Sequence, residues 1–255
     1  MKKLVAFAAL TLCATGAFAN EPSVIRFGVD PTFAPFESKT PDGKLAGFDI
    51  DLGNAICAKL HAKCVWVENA FDGIIPALKA RKFDAVLSSM SVTEKRQQEI
   101  AFSEKIYATP NHLIAHNGSN LLPTVASLRG KRVGVEQGSI QETYAKTYWE
   151  PKGVNVVSYQ NPELAYQDLA SGRLDASFSD AVAGEYGFLK RANGQGFGFS
   201  GPAVQDSKTL GHGVAIGLRK GDDELRLAIN KAIAELVKDG THKRLQQKYF
   251  SFSIY

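Results

Sequence analysis

The feature that most constrains the fold of this chain is an alternation of strand-like and helix-like segments that runs once and then starts again. The first run predicts strands at 24–30, 65–67 and 84–88, separated by helices at 49–60 and 74–81. After an extended stretch at 105–115, the second run predicts strands at 132–136, 154–158 and 175–179, separated by helices at 140–148 and 162–170. Such alternation indicates an α/β fold with parallel sheets.

The two runs also share residues at equivalent positions. Segment 26–30 (R-F-G-V-D) resembles 132–136 (R-V-G-V-E), and 81–85 (R-K-F-D-A) resembles 172–176 (G-R-L-D-A). Two echoes in the same order predict two similar α/β lobes. Because ligands bind beyond the carboxyl ends of strands in open α/β sheets, the lobes would border one cleft. The strand ends facing such a cleft carry Asp30, Ser89, Glu136 and Asp180.

The first nineteen residues have the pattern of an export signal peptide. Lys2 and Lys3 precede an apolar run at 4–12, and 17–19 (A-F-A) is a small-x-small cleavage pattern. Loss of 1–19 lowers the formal charge from +4 to +2, so the nearly neutral mature chain gives no electrostatic case for binding nucleic acid. A hydrophobic content of 44% with 22% charged residues excludes an intrinsically disordered chain.

Two cysteines remain after the signal, Cys57 and Cys64. On one continuous helix their Cα atoms would lie ~10 Å apart, beyond the ~7 Å limit for a disulfide. The helical pattern ends near Leu60 and a strand begins at Val65, so the chain turns between them. We therefore predict a disulfide, which contributes about 2.5 kcal/mol in the chain-entropy model. Two free thiols or a metal pair are the alternatives, although no further Cys or His cluster supports a metal site.

Segment 88–96 (S-S-M-S-V-T-E-K-R) is the most informative polar stretch. Ser91 through Glu94 fits a capping box, and the serines lie where a strand gives way to a helix whose free N–H groups suit an anion. The planar fork of Arg96 matches a carboxylate. A capping cluster with a surface arginine explains the same spacing equally well. A glycine turn at 137–139 (Q-G-S) leads into a helix in the second run.

Two further kinds of residue allow both a binding and a structural interpretation. Asp180 could bind an ammonium group or cap the helix that begins at Ala181. Phe33, Phe36 and Phe71 could flank a ligand or belong to the core. The five histidines show no metal-ligand spacing, and the sequence has no nucleophile-elbow, Walker or H-E-x-x-H motif. Binding is therefore favoured over catalysis.

Several motifs together resemble one known family, the periplasmic amino-acid-binding proteins of ABC importers (solute-binding family 3), in its lysine/arginine/ornithine- and histidine-binding branch. They are 47–52 (G-F-D-I-D-L), Cys57 with Cys64, 71–78 (F-D-G-I-I-P-A-L), 88–93 (S-S-M-S-V-T), 94–97 (E-K-R-Q), 137–139 and 172–176. The resemblance implies a type II periplasmic binding protein fold, in which two α/β lobes joined by two hinge strands close on a ligand. It further implies a periplasmic monomer that serves an inner-membrane ABC permease, without metal, cofactor or enzymatic activity.

The restart of the strand–helix pattern and a final strand at 213–218 predict how the chain divides into two lobes. Residues 20–108 and 214–255 would form lobe 1 and residues 109–213 lobe 2, with hinge segments near 108–111 and 205–213.

The resemblance also implies the ligand contacts. Those to an α-carboxylate fall on Arg96, Ser91 and the backbone of Ser139 and Ile140. Those to an α-ammonium fall on Asp180 and Ser89. Those to the side chain fall on Asp30 and Ser88, with packing from Phe33 and Phe71. Three positions depart from the family's frequent residues, with Phe33 for tyrosine, Ile140 for threonine and Glu136 for an apolar residue.

The charges of these residues predict a basic ligand. The expected cleft has Asp30, Glu136 and Asp180 but only one base, Arg96, and burying acids without cations is unfavourable. A basic side chain supplies the missing charge, and arginine ranks first because its guanidinium can bridge two acids. If Glu136 faces solvent, lysine, ornithine and histidine become equal candidates. The alternatives are a dehydratase of the cyclohexadienyl type on the same fold and the sensor domain of a membrane receptor.

Overall fold

Two five-stranded sheets form the framework of residues 23–255, the part of the chain that the computed structural model describes. The predicted export signal at 1–19 lies outside the described residues. The strands are β1 (Val24–Val29), β2 (Thr32–Phe33), β3 (Glu37–Lys39), β4 (Leu45–Ala46), β5 (Lys63–Glu68), β6 (Ala85–Val86), β7 (Ala101–Tyr107), β8 (Asn111–His116), β9 (Arg132–Glu136), β10 (Asn155–Tyr159), β11 (Ala176–Asp180), β12 (Phe197–Phe199) and β13 (Val214–Leu218).

Helices cover the faces of both sheets. They are α1 (Phe48–Lys59), α2 (Ile74–Lys79), α3 (Glu94–Glu99), α4 (Val125–Leu128), α5 (Ile140–Tyr148), α6 (Pro162–Ala170), α7 (Ala181–Gly184), α8 (Ser207–Leu210), α9 (Asp223–Lys238) and α10 (Thr241–Tyr249). Within residues 23–255, no helix has the length and apolar character needed to cross a membrane.

The sheets have the orders β5-β1-β6-β13-β7 and β10-β9-β11-β8-β12. The prediction of parallel pairing is correct for β1 with β5 and β6, and for β9 with β10 and β11. It is wrong for the rest, because β13 runs antiparallel to β6 and β7, and β8 antiparallel to β11 and β12. Parallel neighbours need a helical crossover, whereas β8 and β13 each continue a chain segment that arrives from the other sheet.

The repeated sequence segments correspond to one structural unit that occurs in both sheets. The Arg26 guanidinium donates to the Asp84 carboxylate at 2.7 Å, and Arg132 pairs with Asp175 at 3.1 Å in the same way. In each unit the aspartate also accepts the arginine's own backbone N–H, at 3.0 and 2.7 Å. The α/β class and its repetition are thus confirmed in structural detail.

Three local details bear on the sequence predictions. Cys57 and Cys64 form a disulfide as predicted, because α1 ends at Lys59 and the chain turns back, which brings their Cα atoms to 5.7 Å. The predicted capping box that begins at Ser91 is wrong. Helix α3 begins after Thr93, whose Oγ1 accepts the Arg96 backbone N–H, so Ser91 stays free for other contacts. Helix α1 begins at Phe48, one residue before the predicted start at 49.

Candidate functional site

A cavity of about 410 Å³ lies between the two sheets, at the carboxyl ends of their parallel strands. The strand-end rule places it there because β1, β6, β9 and β11 all point their carboxyl ends toward the crevice. All eleven residues predicted to contact a ligand line this cavity: Asp30, Phe33, Phe71, Ser88, Ser89, Ser91, Arg96, Glu136, Ser139, Ile140 and Asp180.

Asp30, directly after β1, is firmly held at the cavity wall. Its Oδ1 accepts the Thr32 hydroxyl at 2.7 Å, and its Oδ2 accepts the backbone N–H of Phe71 at 2.8 Å. Burial raises the pKa of Asp30, and the hydrogen bonds from Thr32 and Phe71 oppose that rise. A cation in the cavity would favour the ionised form.

Arg96 is the arginine of the cavity wall, and its guanidinium connects the two halves of the molecule. Nη1 donates to the Ser91 carbonyl at 2.8 Å, and Nη2 donates to the Gly138 carbonyl at 3.1 Å. The guanidinium also lies over the Phe71 ring, 5.4 Å from its centroid. Burial lowers the pKa of Arg96 to about 10, opposed by the charge of Glu136, so Arg96 stays protonated at neutral pH.

Asp180 both caps a helix and faces the cavity, so the two interpretations of this residue are compatible. Its Oδ1 accepts the backbone N–H groups of Val182 and Ala183, each at 2.9 Å, and its Oδ2 accepts the Thr109 hydroxyl. Burial raises the pKa of Asp180 to about 6, against these hydrogen bonds. At neutral pH the carboxylate is therefore ionised and oriented, as binding of an ammonium group requires.

Glu136 ends β9 and lies on the cavity wall. Burial raises the pKa of Glu136 well above its ordinary value, the charge of Asp30 raises it further, and Arg96 opposes the shift. Within the described chain, its carboxyl group has no hydrogen-bond or ion-pair partner. A cationic ligand group would provide one.

The start of α5 forms the remaining wall. Ser139 caps this helix through the Glu142 backbone N–H at 3.0 Å, and its own hydroxyl donates to the Glu136 carbonyl at 2.7 Å. Gly138 has a positive φ of 78°, and a Cβ there would lie only 2.8 Å from the Cα of Asp72 in the other half of the molecule. The two halves therefore approach each other closely at this point.

Sequence reasoning missed several polar residues of the cavity wall. Glu37, Tyr107 and Asn111 line it, yet none belongs to a motif with recognisable spacing. The cysteines lie elsewhere, on α1 and β5. No cluster of three or more His, Cys, Asp or Glu side chains suited to a metal ion occurs between residues 23 and 255.

Comparison with known proteins gives the family. Residues 25–252 match the model of the bacterial extracellular solute-binding proteins, family 3. The chain belongs to this family. It is 53% identical to the histidine-binding periplasmic protein of Salmonella typhimurium, across 100% of this chain and 99% of that protein.

Two more proteins are similar to this chain over nearly their whole length. The chain is 52% identical to the lysine/arginine/ornithine-binding periplasmic protein of Escherichia coli, across 100% of this chain and 98% of that protein. A solved structure of an ancestral arginine-binding protein bound to arginine superposes with a TM-score of 0.84 at 36% identity, covering 90% of this chain and 99% of that one. The family-3 fold, a type II periplasmic binding protein, agrees with the two sheets and the cavity between them.

Proposed function

We propose that this family-3 protein is the periplasmic receptor of an ABC importer and that it captures a basic L-amino acid, arginine first. The observation that carries the proposal is the charge of the cavity wall, where Asp30, Glu136 and Asp180 occur with one arginine, Arg96, and no lysine, and where His212 is the other nitrogen base. An α-amino acid places its ammonium on Asp180 and its carboxylate on Arg96. Those two contacts leave Asp30 and Glu136 for a cationic side chain.

The other contacts follow from that orientation. Ser91 and the backbone at Ser139 and Ile140 assist the α-carboxylate, and Ser89 assists the ammonium. Ser88 takes part in side-chain recognition. Phe33 and Phe71 pack on the methylene stem of the ligand, as aromatic rings do on long cationic side chains.

The receptor closes around its ligand as two lobes. Residues 20–108 and 214–255 form lobe 1 and residues 109–213 form lobe 2, with hinges near 108–111 and 205–213. In support, β13 pairs with β6 and β7 although it follows the second sheet in sequence. Residues 1–19 direct export, and the mature monomer delivers its ligand to an inner-membrane permease.

The protein acts by binding and not by catalysis. The relatives named above are called binding proteins, and the polar groups of the cavity match the two ends of an amino acid. An assay for prephenate and arogenate dehydration tests the alternative, and turnover of either compound would contradict the proposal.

A thermal-shift screen of the twenty amino acids plus ornithine tests the ligand. At 100 times its Kd a ligand adds ~2.7 kcal/mol of stability, roughly 5–10 °C in Tm for a chain of this size. We expect arginine, lysine, ornithine or histidine to give such shifts, and glutamine, glutamate and leucine to give little at the same concentration. A larger shift with a neutral or acidic amino acid would reject the charge assignment.

A further inference from the structure

Behind Ser88 and Ser89 lie two buried acids that the proposed ligand contacts do not use. Glu37, on β3, is 1% exposed, and Asp49, in the first turn of α1, is 0% exposed. The titratable groups that act on this carboxyl pair are Asp30 and the Tyr107 phenol, which are themselves acids. No basic side chain between residues 23 and 255 forms an ion pair with either carboxyl group, so charge on the pair is uncompensated.

The hydrogen bonds around the pair require a carboxyl proton. Ser89 Oγ lies 3.2 Å from Glu37 Oε2 and 2.9 Å from the Tyr107 hydroxyl, which lies 3.1 Å from Asp49 Oδ2. Each of these three contacts needs a hydrogen, but Ser89 and Tyr107 supply one hydroxyl hydrogen each. The third hydrogen has to come from one of the two carboxyl groups.

Glu37 is the acid that carries this proton. Asp49 Oδ2 also accepts the backbone N–H of Ser89 at 2.9 Å, and hydrogen bonds of that kind favour the ionised form. A proton on Glu37 therefore completes a donor chain from Glu37 through Ser89 and Tyr107 to the Asp49 carboxylate. In agreement, burial raises the pKa of Asp49 to about 7, and burial together with the charge of Asp49 raises the pKa of Glu37 well above its ordinary value.

The chain of hydrogen bonds supports the ligand-facing serines, one of which has an uncommon backbone conformation. Ser89 has a positive φ of 49°, a conformation that is uncommon for residues other than glycine and needs support from its surroundings. Asp49 accepts the backbone N–H of Ser89, and Glu37 and Tyr107 form hydrogen bonds with the Ser89 hydroxyl. Ser88 Oγ lies 3.4 Å from Glu37 Oε1 and accepts the Asp30 backbone N–H at 2.9 Å, so the same network reaches the side-chain end of the cavity.

We infer that Glu37 and Asp49 share one proton at neutral pH and that this carboxyl pair positions Ser88 and Ser89 for the ligand, a role that rests on the proposed amino-acid-binding function. When the pair loses this shared proton, two carboxylates are charged in one buried site, and one of the three hydrogen bonds that involve Ser89 and Tyr107 lacks its hydrogen. Ser89 is then held less firmly, so ligand affinity falls as the pH rises and the pair loses that proton.

The test compares the mature chain with its Glu37→Gln variant, which carries a permanent donor at this position. Without ligand, the infrared difference spectrum of the two proteins at neutral pH should contain the C=O band of a protonated carboxyl group that only the wild type has. Each protein's arginine affinity at neutral pH is the reference for its own pH profile. On the alkaline side the wild type should lose about tenfold more affinity than the variant, the size of one neutral hydrogen bond.

Two variants complete the test. Glu104→Gln changes an exposed carboxyl group outside the cavity wall and should keep both the band and the wild-type pH profile. Tyr107→Phe keeps the ring that stacks on Phe36 at 4.9 Å but removes the hydroxyl link. It should therefore weaken arginine binding about tenfold at neutral pH while remaining folded by circular dichroism.

Each outcome decides between the hypotheses. Absence of the protonated-carboxyl band overturns the shared proton. Parallel pH profiles of wild type and Glu37→Gln, or full arginine affinity in Tyr107→Phe, overturn the positioning role. Failure of the wild type to bind any basic amino acid at neutral pH instead overturns the proposed function, and the band measured without ligand still decides the proton.

Discussion

Replacing Glu136 by glutamine tests the charge selection of the cavity most directly. Glu136→Gln keeps the size of the side chain and removes its charge. Because the wild-type carboxyl group forms no hydrogen bond or ion pair within residues 23–255, the substitution breaks no contact of the fold. Its effect should therefore fall on the charge of the cavity and on ligand binding more than on the fold.

The expected magnitude follows from two opposing contributions. A charge-assisted hydrogen bond from the carboxylate to a ligand cation contributes about 1.5–3 kcal/mol, or roughly 10- to 150-fold in affinity. The raised pKa of Glu136 reduces that gain, since each pKa unit above the working pH costs about 1.4 kcal/mol to ionise the group. We expect Glu136→Gln to weaken arginine binding about 10-fold or more and to change glutamine binding less than about threefold.

Protonation supplies a second readout. A ligand cation favours ionised Glu136 and so lowers its pKa in the complex. Arginine binding should then release protons, and the contribution of Glu136 to arginine affinity should rise with pH until free Glu136 is ionised. Calorimetric titrations of arginine in two buffers of different ionisation enthalpy measure this release directly, and Glu136→Gln should reduce it. Glu104→Gln is the matched control. Equal losses for arginine and glutamine, or unchanged arginine affinity, would refute this role of Glu136.

Two more predictions concern the ligand clamp and closure. Arg96→Ala and Asp180→Ala should each weaken arginine binding by about 1.5–3 kcal/mol, and near-wild-type titration curves would remove them from the site. Gly138→Ala should prevent the compaction that arginine causes in small-angle scattering, because the new Cβ meets the Asp72 Cα at 2.8 Å. Gly172→Ala is the control, since its φ of 75° is similar but nothing lies within 4 Å, and compaction by both variants would contradict the steric argument.

Much of the cavity wall could be predicted because strand ends are visible in the sequence. Asp30 and Glu136 stand at the same position of two echoed segments, and the rule for open α/β sheets places both at the crevice. The disulfide was predictable for a similar reason, since the change of periodicity after Leu60 reveals the turn that brings the cysteines together.

The remaining features depend on tertiary contacts that local patterns do not encode. Nothing in the composition of β8 (Asn111–His116) or β13 (Val214–Leu218) shows that they run antiparallel to their neighbours, because that direction follows from the path of the chain between the sheets. Glu37 and Tyr107 are 70 positions apart in the sequence, and they meet only because β3 and β7 approach the same turn at Ser89. The choice between Ser91 and Thr93 as helix cap depends on backbone geometry, which residue preference alone does not decide.

The repeated structural unit has an evolutionary consequence for ligand choice. Each copy contributes one acid from the same position. The Asp30 carboxylate accepts hydrogen bonds from Thr32 and Phe71, whereas the Glu136 carboxyl group forms no hydrogen bond or ion pair within residues 23–255. Mutation can therefore alter Glu136 with little penalty to folding, whereas changes at Asp30 disturb its neighbours as well. Changes of ligand specificity would then arise mainly in the second copy of the unit, with the proposed amino-acid clamp of Arg96 and Asp180 left intact.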